Sequence, residues 1–220
     1  WVMAVGKDSG DPKKSQEAKL TSHDYISRIW LQPGMTLERD THQGKEETFH
    51  MANNGNGTIL IPERSYRLKN GDTIYVAAGE NYQILNEGME PLEIIAYGAK
   101  VKKEGLKDRG VVVKNWRDVI PWLLPAFHGS GLDWRIMNDR KDPSAPPPFS
   151  TGVLPSGEIV KIEDPKIDEA CHCFRTMRFF SFAMLQPSKS YEPHGHEAEE
   201  VYYMIKGKGT LRAIKEDKST

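Results

Sequence analysis

The sequence predicts an all-β protein made of two antiparallel barrels in tandem, and three observations predict it. Short runs rich in Ile, Val, Tyr and Leu recur at 26–31, 57–61, 73–76, 82–85 and 92–97. Turn signals separate them: Pro33-Gly34, Asn54-Gly55, Asn70-Gly71-Asp72, Ala78-Gly79 and Asn86-Glu87-Gly88. Turns at that spacing favour a barrel or sandwich over strands alternating with helices. The third observation is an internal repeat. Helix is confined to a few segments; the best, 115–124, is interrupted by Pro121 and so is at most short.

Leu31-Gln32-Pro33-Gly34 recurs as Leu185-Gln186-Pro187-Ser188, and Asp40-Thr41-His42 aligns with His194-Gly195-His196. Glu46-Glu47-Thr48-Phe49 matches Glu199-Glu200-Val201-Tyr202, and Gly55-Asn56-Gly57-Thr58 matches Gly207-Lys208-Gly209-Thr210. Trp1-Val2-Met3 resembles Trp134-Arg135-Ile136 more faintly. Four blocks in one order at near-constant spacing divide the chain into a first unit over 1–100, a polar linker over 101–109 and a second unit over 110–220. The leader of the second unit has no counterpart before Trp1, and that unit stops level with about Leu68 of the first. The alignment therefore predicts a sequence cut at both ends. The second unit carries an insertion over 139–169, where four prolines between 143 and 148 prevent strand pairing. A surface loop, a lid or a dimer arm would account for it.

Composition narrows the function. The chain of 220 residues is 38% hydrophobic and 28% charged, with 30 basic and 31 acidic residues and a formal net charge of -1. That length buries a real core, and the balance offers no global attraction to nucleic acid or an anionic membrane. No apolar stretch approaches the roughly 18–20 residues of a membrane-spanning helix. Two cysteines, Cys171 and Cys173, make no disulfide framework, so a reducing, cytoplasmic setting is expected.

The chemistry concentrates in 188–209. His194 and His196 are two apart, so on a strand both imidazoles project to one face. Glu200 opens the next apolar run, 201–205, and strand pairing would return its carboxylate beside them. Two neutral imidazoles and a carboxylate make a three-point site for a divalent metal with positions left open. A solvated His/Glu turn is the alternative.

This pattern resembles the first motif of the cupin superfamily: Gly, five residues, HxH, three or four residues, Glu, six residues and Gly. Ser188 stands at the leading Gly and the rest fits through Gly207. The first unit resembles it as well, with Gly34, Asp40, His42 and Glu47, and residues 71–86 resemble the second cupin motif with Ala77 for the usual Pro and Tyr82 for the usual His. Covering about 22–100 and 110–220, the resemblance implies two cupin barrels, that is double-stranded β-helices or jelly rolls, in tandem. It implies a metal on His194, His196 and Glu200, with a fourth ligand beyond Thr220. For the first unit it implies a weaker set of Asp40, His42, Glu47 and Tyr82, or else a degenerate barrel used for packing and dimerisation with Asp40 and Tyr82 in a polar cluster.

The resulting expectation is a metal-dependent two-barrel enzyme acting on a small organic substrate, a homodimer without nucleic-acid or membrane partners. Fe(II) would make it a dioxygenase or related oxidoreductase, the activity favoured by its frequency among cupins. Mn, Ni or Zn as Lewis acid would make it an isomerase, lyase or decarboxylase, and a vestigial site would leave a binding or storage protein. The resemblance supplies no separate catalytic residue. Elsewhere, Cys171-His172-Cys173 lacks a second Cys/His pair, and His128 reads as a loop histidine. His50 faces away from Glu47 and Phe49, exposed or at an interface. Tyr202, Met204, Phe180 and Phe182 are expected to line a barrel, and Arg175 and Arg178 to lie on the strand leading to Leu185.

Overall fold

The computed structural model describes residues 2–6, 23–39, 44–53, 55–101, 110–119, 132–139, 151–153, 159–161, 174–177, 179–190 and 200–212. Ten strands form in the first half: β1 (Val2–Gly6), β2 (Tyr25–Leu31), β3 (Thr36–Arg39), β4 (Lys45–Met51), β5 (Gly57–Ile61), β6 (Arg64–Leu68), β7 (Asp72–Val76), β8 (Tyr82–Asn86), β9 (Leu92–Lys100) and β10 (Val111–Asn115). They make two antiparallel sheets, β1-β2-β9-β4-β7-β10 and β3-β8-β5-β6. β2 pairs with β9, β3 with β8, β4 with β7 and β5 with β6. This nesting of first with last is a long hairpin rolled on itself, which is a jelly roll. The five predicted strands are β2, β5, β7, β8 and β9.

Side chains alternate across the large sheet as its pleat requires. Ile29, Leu31, Phe49, Met51, Ile74, Val76, Leu92 and Ile94 face inward and meet Ile59, Tyr82 and Ile84 of the small sheet in one buried cluster. The outer face of the large sheet is also covered. Tyr75, Ala77, Ile95, Tyr97 and Ala99 pack there against Phe174, Met177, Phe180 and Tyr203. β4 is consequently buried from Glu46 to Met51, charges included, and buried charges require partners.

In the second half, β11 (Leu132–Asp139) pairs with β14 (Phe179–Leu185), while β12 (Thr151–Val153) and β13 (Ile159–Lys161) form a hairpin inside the insertion. The β11–β14 pair is antiparallel like β1–β2, and the turns after β2 and β14 share one conformation. Gly34 has φ 72° and Ser188 φ 59°. Met35 N–H donates to Gln32 C=O at 3.0 Å, and Lys189 N–H to Gln186 C=O at 3.2 Å. Each is a Pro-led turn with a left-handed third residue, so serine keeps a conformation that usually selects glycine.

Several expectations change. β10 opens the residues assigned to the second unit, yet it extends the first unit's large sheet by pairing with β7. A 3-10 turn, Trp116–Asp118, follows it where a short helix was expected. Residues 201–205 take no strand pairing, and a second closed barrel is not formed among the described residues. Its counterpart in the sequence repeat, β4, is held by β7 and β9. No helix among those residues is long and apolar enough to cross a membrane.

Candidate functional site

Glu47 points its carboxylate into the interior of the first barrel and is only 1% exposed. The strand register sets Tyr25, Gly98 and Glu47 side by side across β2, β9 and β4. Gly98 is what lets the outer two meet. A Cβ there would lie 2.2 Å from Tyr25 Cε1, so the tyrosine ring crosses the space a side chain would fill. The Tyr25 hydroxyl donates to Glu47 Oε1, and the Tyr82 hydroxyl donates to Oε2 at 2.7 Å. Tyr82 is itself buried and packs on Phe49 with ring centroids 5.3 Å apart.

Two residues of the weaker set, Glu47 and Tyr82, are thus brought together, as acceptor and donor of a hydrogen bond. Asp40 and His42 lie outside the described residues. Tyr25 was missed because the predicted strand began one residue later, and Gly98 because nothing in its surroundings marked it. A glycine inside a strand was the available signal, since it marks close approach of a neighbouring group.

In the second unit His194 and His196 lie outside the described residues, as do Cys171, His172, Cys173, His128 and Arg178. Glu200 is described and half-buried. No group of three or more His, Cys, Asp or Glu side chains converges among the described residues. Phe180 and Phe182, expected inside a barrel, instead face the first unit. Phe180 lies edge-on to Tyr97 at 5.3 Å and Phe182 stacks on Trp116 at 4.6 Å. Tyr202 and Met204 are exposed by 50% and 70%. Arg175 precedes β14 without joining it.

The surface between the units is built reciprocally. His50 of β4 lies 5.9 Å from Phe180 and 6.1 Å from Phe182. In the repeat, Tyr203 is the equivalent of His50, and Ile26 and Arg28 are the equivalents of Phe180 and Phe182. Tyr203 packs in one cluster with Ile26, and the Arg28 guanidinium lies 5.9 Å from its ring. Positions aligned by the sequence repeat thus contact one another here. Around Tyr203, Arg28 pairs with Glu93 at 2.5 Å and lies over Trp30 at 4.3 Å, while the Tyr203 hydroxyl donates to Glu93 at 3.2 Å. An open groove of about 440 Å³ beside this cluster is lined by Trp30, Asn53, Gly55, Glu90, Pro91 and Glu93. Its Arg28–Glu93 pair is internally matched, and Asn53 is spent on Pro91 C=O and the amides of Gly55 and Glu93.

Burial shifts the titration of this surface. His50, 4% exposed and 3.1 Å from Thr73 Oγ1, has its pKa lowered to about 4 by desolvation of the imidazolium. Burial raises Glu46 against the pull of three backbone N–H groups, and the net shift is upward. For His50 the lowered folded value means that the unfolded chain binds the extra proton below pH 6.5. Stability present above that pH is lost as pH falls toward 4. Between pH 7 and 5 the loss from His50 is about 2 kcal/mol. Urea unfolding of the parent and of His50→Leu at both pH values checks this, since Glu46 contributes equally to each. An undiminished loss in His50→Leu would refute it.

No protein-family model matches the chain, and no curated protein matches it by sequence. Among solved structures it is similar to a proposed glyoxylate-induced protein of Pseudomonas aeruginosa, at 16% identity and TM-score 0.49, over 66% of this chain and 49% of that one. An oxalate decarboxylase assigned by prediction in Thermotoga maritima is 25% identical with TM-score 0.35, over 36% and 69%. A cupin 2 conserved barrel domain protein of Salinispora arenicola is 18% identical with TM-score 0.32, over 34% and 62%. The chain thus spans about half the length of the first of these. The jelly-roll assignment rests on the nested strand pairs.

Proposed function

We propose that the chain is a metal-dependent two-barrel cupin enzyme acting on a small organic molecule, with its metal in the second unit on His194, His196 and Glu200. One observation carries the reading. Glu47, the repeat counterpart of Glu200, points its carboxylate into the first barrel, whereas His50, three residues on, points at the other unit. Tyr203, the counterpart of His50, likewise meets the opposite unit. Glu200 is the repeat counterpart of that inward carboxylate, which supports reading it as a ligand together with His194 and His196.

The donor chemistry of that set fits a divalent cation. Two imidazoles and one carboxylate leave coordination positions open, and Fe(II) in such a face supports oxygen chemistry. A bound ion would supply Lewis acidity or oxygen activation; the chain's own residues would hold it and orient the substrate in the barrel mouth. The first barrel does not fit in the same way. Both oxygens of Glu47 accept phenolic hydrogens, and Tyr82 stands where an imidazole would serve better. We assign it a scaffold role. Cytoplasmic location belongs to the same reading, as does a homodimer, which would use a face other than the one covered by 174–182.

Elemental analysis of the purified chain tests the proposal, followed by oxygen uptake with Fe(II) and candidate organic acids. One divalent ion per chain and Fe(II)-dependent oxygen consumption are the expected results. Turnover without oxygen would favour isomerase, lyase or decarboxylase chemistry at the same ligands. A chain that takes up no divalent ion would overturn the assignment.

A further inference from the structure

We infer that Glu46 is a positioning residue: its buried carboxylate latches the segment before β14 onto the first unit and so sets where the second unit's candidate ligands stand. The last clause rests on the function proposed above; the latch itself does not. Glu46 lies on the outward face of β4 and is 0% exposed. Its Oε2 accepts the backbone N–H of Arg175 at 2.8 Å, and its Oε1 accepts those of Thr176 and Met177, each at 2.9 Å. The Thr176 hydroxyl adds a bond to Lys100 C=O at 2.7 Å, on the neighbouring strand. Phe174 and Met177 bracket the site and are buried against Tyr75, Ile95 and Tyr97.

Three successive amides converging on one anion form a nest. None of the three belongs to a strand, and buried amides need acceptors. Burying a carboxylate is costly unless its oxygens are fully engaged. Only a carboxylate offers two acceptor oxygens to three donors at once, and glutamine offers one. That requirement explains an acidic residue buried beside Phe174 and Met177. β14 starts two residues after Met177 and runs seven residues to the turn at Pro187-Ser188. From that turn the sequence runs on to His194 and His196. Glu46 and Glu47 thus act through opposite faces of one strand, the first on the other unit and the second on its own barrel.

Amide hydrogen exchange on the full chain tests the latch. In Glu46→Ala, exchange at Arg175, Thr176 and Met177 is expected to rise at least about 10-fold while β2, β4 and β9 stay protected. Glu46→Gln keeps one acceptor for Thr176 and Met177, so its rise should be confined to Arg175. This site-resolved signature serves also if the alanine variant fails to fold. Unchanged exchange in both variants would overturn the latch. For positioning, Mn(II) affinity measured by titration is expected to fall about 10–100-fold in Glu46→Ala and to recover substantially in Glu46→Gln. Raised exchange with unaltered Mn(II) affinity would overturn that part. A parent chain that takes up no Mn(II), Fe(II) or Zn(II) would sink the proposed function and leave the exchange data to decide the latch alone.

Discussion

Replacing Glu200 with alanine is expected to strip the chain of its divalent ion and leave the unfolding midpoint of the metal-free chain within about 2 °C, whereas Glu47→Ala should do the reverse. The two residues are repeat counterparts, so the contrast isolates what each unit does with the same carboxylate. Glu200 is half-buried, and its removal takes one of three proposed ligands from the ion. Loss of a directly bound ligand should exceed the roughly 10–100-fold effect of losing a group that merely supports one. Metal content after dialysis should therefore fall from about one per chain to near zero. Glu47 is 1% exposed and accepts two phenolic hydrogens. Truncating it removes two hydrogen bonds to a charged group, at a cost of about 3 kcal/mol. Its metal content should equal that of the parent. Equal metal loss in both variants would show that the first barrel also binds an ion, and retention in both would refute the ligand assignment.

Much of the barrel was legible because its signals are local. Strands β2, β5, β7, β8 and β9 combine β-branched or aromatic residues with Gly, Pro or Asn at the turns, and each needs only its own sequence to be seen. The repeat was legible for the same reason. At Gly34 and Ser188 the aligned residues differ, yet both have a left-handed backbone.

What escaped was decided at a distance. β6, Arg-Ser-Tyr-Arg-Leu, is an edge strand whose charged, exposed side chains carry no apolar alternation. β10 reads as the start of the second unit, and its pairing with β7 is a choice among partners that periodicity does not make. On β4 the outward residues Glu46, Thr48 and His50 look like a solvated face. They are buried because residues 174–177 and 179–182 arrive across them, with Arg175 standing 129 positions from Glu46. Phe180 and Phe182 escaped for the mirror-image reason. Alternation identifies two faces without saying which faces the barrel, and these took the one toward His50. Of the site, Glu47 and Tyr82 lie together as a hydrogen-bonded pair, while Asp40, His42, His194 and His196 lie outside the described residues. The glutamate's second partner needed Gly98, a residue with no side chain to notice.

Gly98→Ala is accordingly expected to be among the most damaging single-methyl additions to the first unit. The added Cβ would lie 2.2 Å from Tyr25 Cε1 and 2.8 Å from Cδ1 and Cζ. The far side of the ring offers no quick relief, because Tyr25 is paired backbone to backbone with Gly98 itself. Overpacking of this kind costs about 1–3 kcal/mol. Displacing the ring also takes its hydroxyl from Glu47, and a hydrogen bond to a charged group contributes about 1.5–3 kcal/mol. Against these, alanine restricts the unfolded chain more than glycine does, offsetting about 0.4–1 kcal/mol. The balance is a destabilisation of about 2–4 kcal/mol, a fall of roughly 5–15 °C in Tm for a chain of this size. Adding Tyr25→Ala to Gly98→Ala removes the ring the methyl strikes, so the double variant should be no less stable than Tyr25→Ala alone. Calorimetry on the three variants decides it. A Gly98→Ala chain within about 0.5 kcal/mol of the parent, or a double variant showing simple additivity, would mean that the tyrosine does not reach Glu47 across the glycine.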